Sequence, residues 1–246
     1  MIMDGGLRCT KCRNDAIISQ RYSGQKLCRE HFIRDLEAKA KREIRRNQWL
    51  ISGDQIGVAL NGGGASAAVL SILLKLAGKR RDIKLVALHI DCGVVEARRS
   101  AEEIAVSAGV LLHVRKRNPE HTIEEDIASS ALDAGITTVA CGKTLDDEAE
   151  AVFKAFVSGD IWSLGSGSGT EEIRWIYPLE TIPADEVALY ATLHSEGGLF
   201  EQKERDGLSG DIRSVLGAYT TRHPSTLYAV YHIGRRIRSS IPDTKQ

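Results

Sequence analysis

Four side chains with an affinity for soft metal ions stand close together near the start of the chain: Cys9-x-x-Cys12, then, after fifteen residues, Cys28-x-x-His31. Two knuckles of this kind place paired ligands on tight turns, and their thiolate and imidazole donors suit the tetrahedral preference of Zn²⁺. With no open coordination position, such a site is structural. The intervening stretch Ile17 to Lys26 has room for a β-hairpin turned at Ser23-Gly24, and the second knuckle runs into a helical pattern from Glu30 to about Trp49. A second constellation, Asn61-Gly62-Gly63-Gly64-Ala65-Ser66, follows a short apolar strand and opens a helix near Ser66. Consecutive glycines at that junction expose backbone N–H groups and the positive end of a helix dipole to an anion, the chemistry of a phosphate pocket. The loop matches neither G-x-x-x-x-G-K-[ST] nor G-x-G-x-x-G, so the Walker and dinucleotide fingerprints both fail.

The elements that must position these groups alternate. Strand-like runs fall at Gln55–Leu60, Lys84–Ile90, Leu111–Arg115, Thr137–Cys141 and Arg174–Tyr177. Helical patterns fall at Ala67–Ala77, Ala97–Ala108, Ile123–Ala134, Asp146–Val157 and Ala184–His194. Such alternation predicts an α/β fold, a parallel five-stranded sheet flanked by helices, with a small N-terminal zinc module. Ligands of such sheets bind outside the carboxyl ends of the strands, where Asn61–Ser66, His89–Gly93 and Cys141–Asp147 should converge. The expected units are a zinc-binding module at 1–33, a basic connecting helix at 34–52, an α/β domain at 53–195 and a C-terminal helical segment at 196–246. Gly165-Ser166-Gly167-Ser168-Gly169 reads as a flexible loop.

Composition bounds the rest. With 42% hydrophobic and 27% charged residues in a chain of 246, a sizeable core is available. No run approaches the ~18 to 20 apolar residues of a membrane span, and no apolar signal core precedes the cysteines, so a cytoplasmic location is expected. The five cysteines do not resemble a disulfide framework. Net charge is zero, but residues 1–50 hold 12 Lys and Arg against 6 Asp and Glu, leaving them at +6. Arg34, Lys39, Lys41, Arg42, Arg45 and Arg46 form a basic stripe, either a solvated helix face or an attractor of phosphate backbones; charge alone favours the solvated face.

The glycine loop resembles the S-G-G-x-D-S loop of PP-loop ATP pyrophosphatases, and the preceding Gly53-Asp54-Gln55-Ile56-Gly57-Val58-Ala59-Leu60 resembles their usual strand. Further segments are similar to one branch, the TtuA-type tRNA 2-thiouridine synthetases and their eukaryotic wobble-uridine relatives. These are the Cys/His module, Leu88 to Gly93, Gly142 to Phe153 (GKTLDDEAEAVF), Tyr177 to Ala191 and His223 to Ile237. The resemblance implies an adenine nucleotide alpha hydrolase-like fold and a reaction in which ATP and Mg²⁺ adenylate C2 of a tRNA uridine before sulfur replaces oxygen there. It implies nucleotide contacts from Ala59, Asn61, Gly62, Gly63, Ser66, His89, Ile90, Gly142 and Asp147, with tRNA facing the zinc module and basic helix.

The chain also departs from that pattern. Where the family loop has Ser, Lys and Asp, this chain has Asn61, Gly64 and Ala65. Losing a cation that meets the pyrophosphate and an acid that organises Mg²⁺ predicts badly impaired ATP cleavage. The family's CxxC segment ahead of the fourth strand and its third cysteine have no counterpart, which argues against an iron–sulfur cluster. Asp147, Cys92 and Cys141 remain as candidates for catalysis. The two cysteines read as small side chains before they read as a persulfide relay, and Asp146 and Asp147 read as Mg²⁺ ligands or as complements to a helix dipole. The resemblance, with these departures, implies a non-catalytic RNA-binding member, partnered by an intact paralogous thiolase subunit or a ubiquitin-like sulfur carrier in a homo- or heterodimer. The alternatives are an active ATP-dependent adenylating tRNA-uridine 2-sulfurtransferase with a rebuilt site, and a nucleotide sensor.

Overall fold

The computed structural model describes residues 7–77, 80–164, 172–194, 199–200 and 207–241. Within the N-terminal module, strand β1 (Ile18–Gln20) pairs antiparallel with β2 (Gln25–Leu27), and Gly24 takes the positive φ of 70° that closes the turn. Helix α1 (Arg29–Arg46) begins directly after Cys28. Its buried residues Phe32, Leu36, Ala40 and Ile44 recur every fourth position, the single apolar face of an amphipathic helix, and join the main core. The helix ends three residues before the predicted Trp49. Gln48 enters the left-handed region at φ 52°, and the Trp49 N–H closes back onto the Ile44 carbonyl, satisfying the last turn.

Beyond it the chain runs β3 (Gln55–Ala59), α2 (Gly64–Ala77), β4 (Lys84–Asp91), α3 (Val95–Ala108), β5 (Leu112–Lys116), α4 (Ile123–Asp133), β6 (Thr138–Ala140), α5 (Leu145–Ser158), β7 (Arg174–Ile176), α6 (Ala184–His194), α7 (Leu208–Arg222) and α8 (Thr226–Ser240). The last five strands form one parallel sheet in the order β5-β4-β3-β6-β7. Ile56, Val58, Val139, Ala140 and Ile176 are buried, as strands covered on both faces require. Helices α1, α2 and α6 share one core cluster with the sheet, α4 closes a second with β4 and β6, and α5, α7 and α8 enclose a third around Leu145, Ile212 and Tyr231.

Local chemistry fixes the helix ends around the sheet. Thr122 and Thr144 each form a capping box, with Glu125 and Asp147 respectively, so α4 and α5 start where hydroxyl and carboxylate satisfy the first N–H groups. Helix α2 starts at Gly64, earlier than the predicted Ala67. Gly64 has ordinary helical geometry, and its lack of a side chain lets the first turn lie against Ala191, whose Cβ would be 3.1 Å from a Cβ placed there. The Gly165–Gly169 stretch lies outside the described residues.

The chain leaves β3 toward β4 on one side and returns to β6 on the other, so the carboxyl end of β3 is a topological switch point. Asn61–Gly63, Cys92–Val94 and Cys141–Thr144 all open at that end.

Candidate functional site

The four metal-type residues are gathered as their spacing predicts. Cys9 Sγ lies 3.6 Å from His31 Nδ1, Cys12 Sγ 3.7 Å from Cys28 Sγ, and Cys28 Sγ 3.3 Å from His31 Nδ1. One ligand atom from each of the four falls within 4.8 Å of all the others. A tetrahedral ion bound at ~2.3 Å to sulfur and ~2.05 Å to nitrogen separates its sulfurs by about 3.8 Å and its S–N pairs by about 3.5 Å. The donors therefore fit a single four-coordinate ion such as Zn²⁺, held closed by the chain. Burial works to raise the Cys9 thiol, but surrounding backbone N–H groups, including that of Lys11, outweigh it and hold the pKa at about 6. That environment favours the Cys9 thiolate, the form that binds metal.

A buried polar junction ties this module to the sheet. Gln20 Nε2 and Tyr22 Oη donate to Glu186 of α6 at 3.0 and 2.6 Å, and Lys39 Nζ reaches the same carboxylate at 3.2 Å. Burial raises the Glu186 pKa, with Lys39 and Tyr22 opposing it. Lys39 also pairs with Asp35 at 2.8 Å, so it turns inward and leaves the predicted basic stripe. Arg34, Lys41, Arg42, Arg45 and Arg46 remain exposed on α1. Arg34, Lys41 and Arg45 follow helical spacing along one face.

At the switch point a cavity of ≈ 1860 Å³ opens, larger than the ~300 to 1,000 Å³ typical of small-molecule sites. Ala59, Asn61, Gly63, Ser66, His89, Ile90, Gly142 and Asp147 line it, together with Cys92 and Cys141. Gly62 alone of the expected nucleotide residues does not. Its φ of 82° turns its carbonyl away, to accept from Ser100 Oγ at 2.7 Å and from the Phe200 N–H at 2.9 Å. Asn61 folds the loop onto itself: its Oδ1 accepts the Gly63 N–H at 2.9 Å and lies 2.8 Å from Ser66 Oγ. Gly142 meets the loop from the β6 side, where a Cβ would sit 2.7 Å from the Ala65 carbonyl carbon and 2.8 Å from the Ser66 nitrogen. Only glycine allows that approach of two backbones.

The other walls divide by polarity. Leu88, Ile90, Ile127 and Trp175 supply an apolar side. His89 is buried with Nδ1 2.7 Å from the Leu60 carbonyl; since a carbonyl only accepts, Nδ1 carries the proton. Asp147 is held by the α5 cap and by an ion pair with Arg213 of α7, which also reaches Glu150 at 2.5 Å. Asp146 accepts from the Ala184 N–H at 2.7 Å, and burial raises its pKa. Burial pushes the Cys141 thiol up to about 12, so it is protonated at neutral pH, whereas Cys92 is exposed. Lys143, Tyr177 and Arg213 line the cavity without having been predicted as site residues. Lys143 stands inside the GKTLDDEAEAVF segment, beside the glycine that touches the loop; Arg213 carries no local signal.

Residues 8–33 match the model for the N-terminal LIM domain of the 2-thiouridine synthetase TtuA. The chain is 24% identical to the tRNA 2-thiolation protein NcsA of Haloferax volcanii, over 91% of this chain and 84% of that one. It is 26% identical to the tRNA-5-methyluridine(54) 2-sulfurtransferase of Pyrococcus horikoshii, over 90% and 80%. The chain thus resembles the TtuA/NcsA-type tRNA 2-thiolation proteins, in its N-terminal module by the family model and over most of its length by these relatives. Its fold is also that of the U34-tRNA thiolase NcsA from Methanococcus maripaludis, solved with its [4Fe-4S] cluster, at a TM-score of 0.83 and 20% identity over 95% of this chain and 88% of that one.

That structure corrects one expectation. A TtuA/NcsA-type fold carries a [4Fe-4S] cluster in this NcsA, so the missing CxxC segment is no ground for arguing against a cluster in the present chain. Counting cysteines at family positions overlooked those that the fold itself assembles. Three stand in the N-terminal module and two line the central cavity, and none of the five is in a disulfide. Among the described residues, no helix is long and apolar enough to cross a membrane.

Proposed function

We propose that this chain is an RNA-binding subunit of a tRNA 2-thiolation system that holds a nucleotide at its switch point but cleaves ATP poorly, working beside an intact paralogous thiolase. The observation that carries this reading is the state of the glycine loop. Asn61–Ser66 contains neither a cation nor an acid, and the Asn61 side chain occupies the Gly63 N–H that a phosphate would otherwise accept from. Catalysis of phosphoryl cleavage rests on preorganised charge, which is what the loop lacks. Retention of the cavity, with an apolar wall for a flat ring and N–H groups at the α2 start, supports binding without efficient turnover. Asp147, the residue best placed to hold Mg²⁺ by sequence, is neutralised by Arg213.

The RNA part rests on the exposed face of α1 and the names of the relatives, which act on tRNA. Lys41→Glu with Arg45→Glu reverses two charges on that face without touching the core. Bulk tRNA binding by the full chain is expected to weaken at least about tenfold, and the slope of log K against log salt to fall by about 2. Unchanged affinity and slope in a titration from 50 to 200 mM salt, a range in which ~6 to 10 phosphate contacts give a large effect, would remove α1 from the interface.

A further inference from the structure

We infer that Lys143 is the cation that meets the phosphates of a nucleotide bound in this cavity, in place of any charge on the glycine loop. This rests on the nucleotide reading above. A bound nucleoside triphosphate brings several negative charges into a partly closed site, and N–H groups alone neutralise them incompletely. Among the described residues lining the cavity, Lys143, Lys154 and Arg213 are the Lys and Arg side chains. Arg213 is engaged by two carboxylates, Asp147 and Glu150. Lys154 lies about 14 Å along α5 from Leu145, at 1.5 Å per residue, away from the strand ends. Lys143 is the residue next to Gly142, whose backbone touches Ala65 and Ser66 at the start of α2.

The resting position of Lys143 suits a group that moves. Its ammonium lies 2.5 Å from Glu148 Oε1 and 5.4 Å from the centre of the Tyr177 ring, which also lines the cavity. Glu148 is almost fully buried, but its second oxygen is held by Arg238 at 2.6 Å. If Lys143 swings to a phosphate, the buried carboxylate keeps a cation. In the resting position burial works to raise the Glu148 pKa, and Lys143 and Arg238 together outweigh it and lower it. The four-carbon stem of lysine allows such a swing about a fixed Cα.

The test is calorimetric titration of the full, metal-loaded chain with Mg·ATP and separately with adenosine, using wild type, Lys143→Gln and Lys143→Arg. Lys143→Gln is expected to weaken ATP about tenfold or more, the loss of one charge-assisted contact, while adenosine changes less than about twofold. Lys143→Arg is expected to stay within about threefold of wild type for ATP, since the charge persists. Equal weakening of both ligands would make Lys143 a structural residue and overturn the inference. ATP binding unchanged in Lys143→Gln would overturn it while leaving the nucleotide reading intact. Failure of the wild type to bind ATP would overturn both. If Lys143→Gln fails to fold, Lys143→Arg decides: loss of ATP with adenosine retained contradicts a charge-based role.

Discussion

Cys28→Ser is expected to release the metal ion from the N-terminal module and to unfold residues 8–33 while the parallel sheet survives. The module has little regular structure of its own, although Leu27 and Phe32 reach the main core. Its strands are three residues each, and a two-stranded hairpin of that length is not stable alone. Most of the folding free energy of such a module is metal-binding free energy. Cys28 also contacts both Cys12 and His31, so its loss opens the centre of the ligand set rather than one edge. Unfolding then removes Gln20 and Tyr22 from Glu186 and leaves that buried carboxylate with Lys39. Hydrogen bonds to a charged group are worth roughly 1.5 to 3 kcal/mol each, so losing these two should weaken the remaining domain by about 3 to 6 kcal/mol. The checks are zinc and iron content by elemental analysis, and limited proteolysis. Wild-type metal stoichiometry with unchanged resistance of residues 8–33 would show that the four residues are not a metal site.

Gly62→Ala should be the most damaging small substitution in the α/β domain. At φ 82° an alanine sits in the left-handed region, at a cost of about 1 to 2 kcal/mol. Its Cβ would also overlap the Ala97 carbonyl oxygen in the first turn of α3, and backbone cannot rotate aside as a side chain can. Overpacking of this kind costs about 1 to 3 kcal/mol more. A loss of about 2 to 5 kcal/mol is expected, a large part of the ~5 to 15 kcal/mol that holds a domain. Gly109→Ala separates the two contributions, because Gly109 has a similar φ of 65° with nothing within 4 Å of a Cβ. It should cost only the conformational part. Urea midpoints of the two variants that coincide would refute the contact between the loop and α3.

What the sequence disclosed depended on how local each signal was. The metal ligands were legible because two knuckles define their own geometry, and the sheet was legible because its central strands β3, β4 and β6 read as short apolar runs followed within three residues by glycine. The convergence of three loops at the end of β3 followed from parallel topology alone. Pairings across the chain left no such trace. Arg213 reaches Asp147 across 66 residues, and Lys39 reaches Glu186 across 147, so one acid was read as open to Mg²⁺ and one lysine as part of the basic stripe. The self-closure of the loop by Asn61 was hidden for a different reason: a substitution that looks like loss of a residue also supplies a new acceptor for Gly63.

Pyrophosphate release from Mg·ATP by the metal-loaded protein, with and without bulk tRNA, bears most directly on whether this loop still cleaves. Missing preorganised groups cost roughly 10² to 10³ in rate apiece. Release at background level in both conditions, with tRNA bound in a salt-sensitive manner, is the expected result. Release stimulated by tRNA to the rate of an intact thiolase measured alongside would contradict a cleavage-impaired loop and make this chain an adenylating enzyme in its own right.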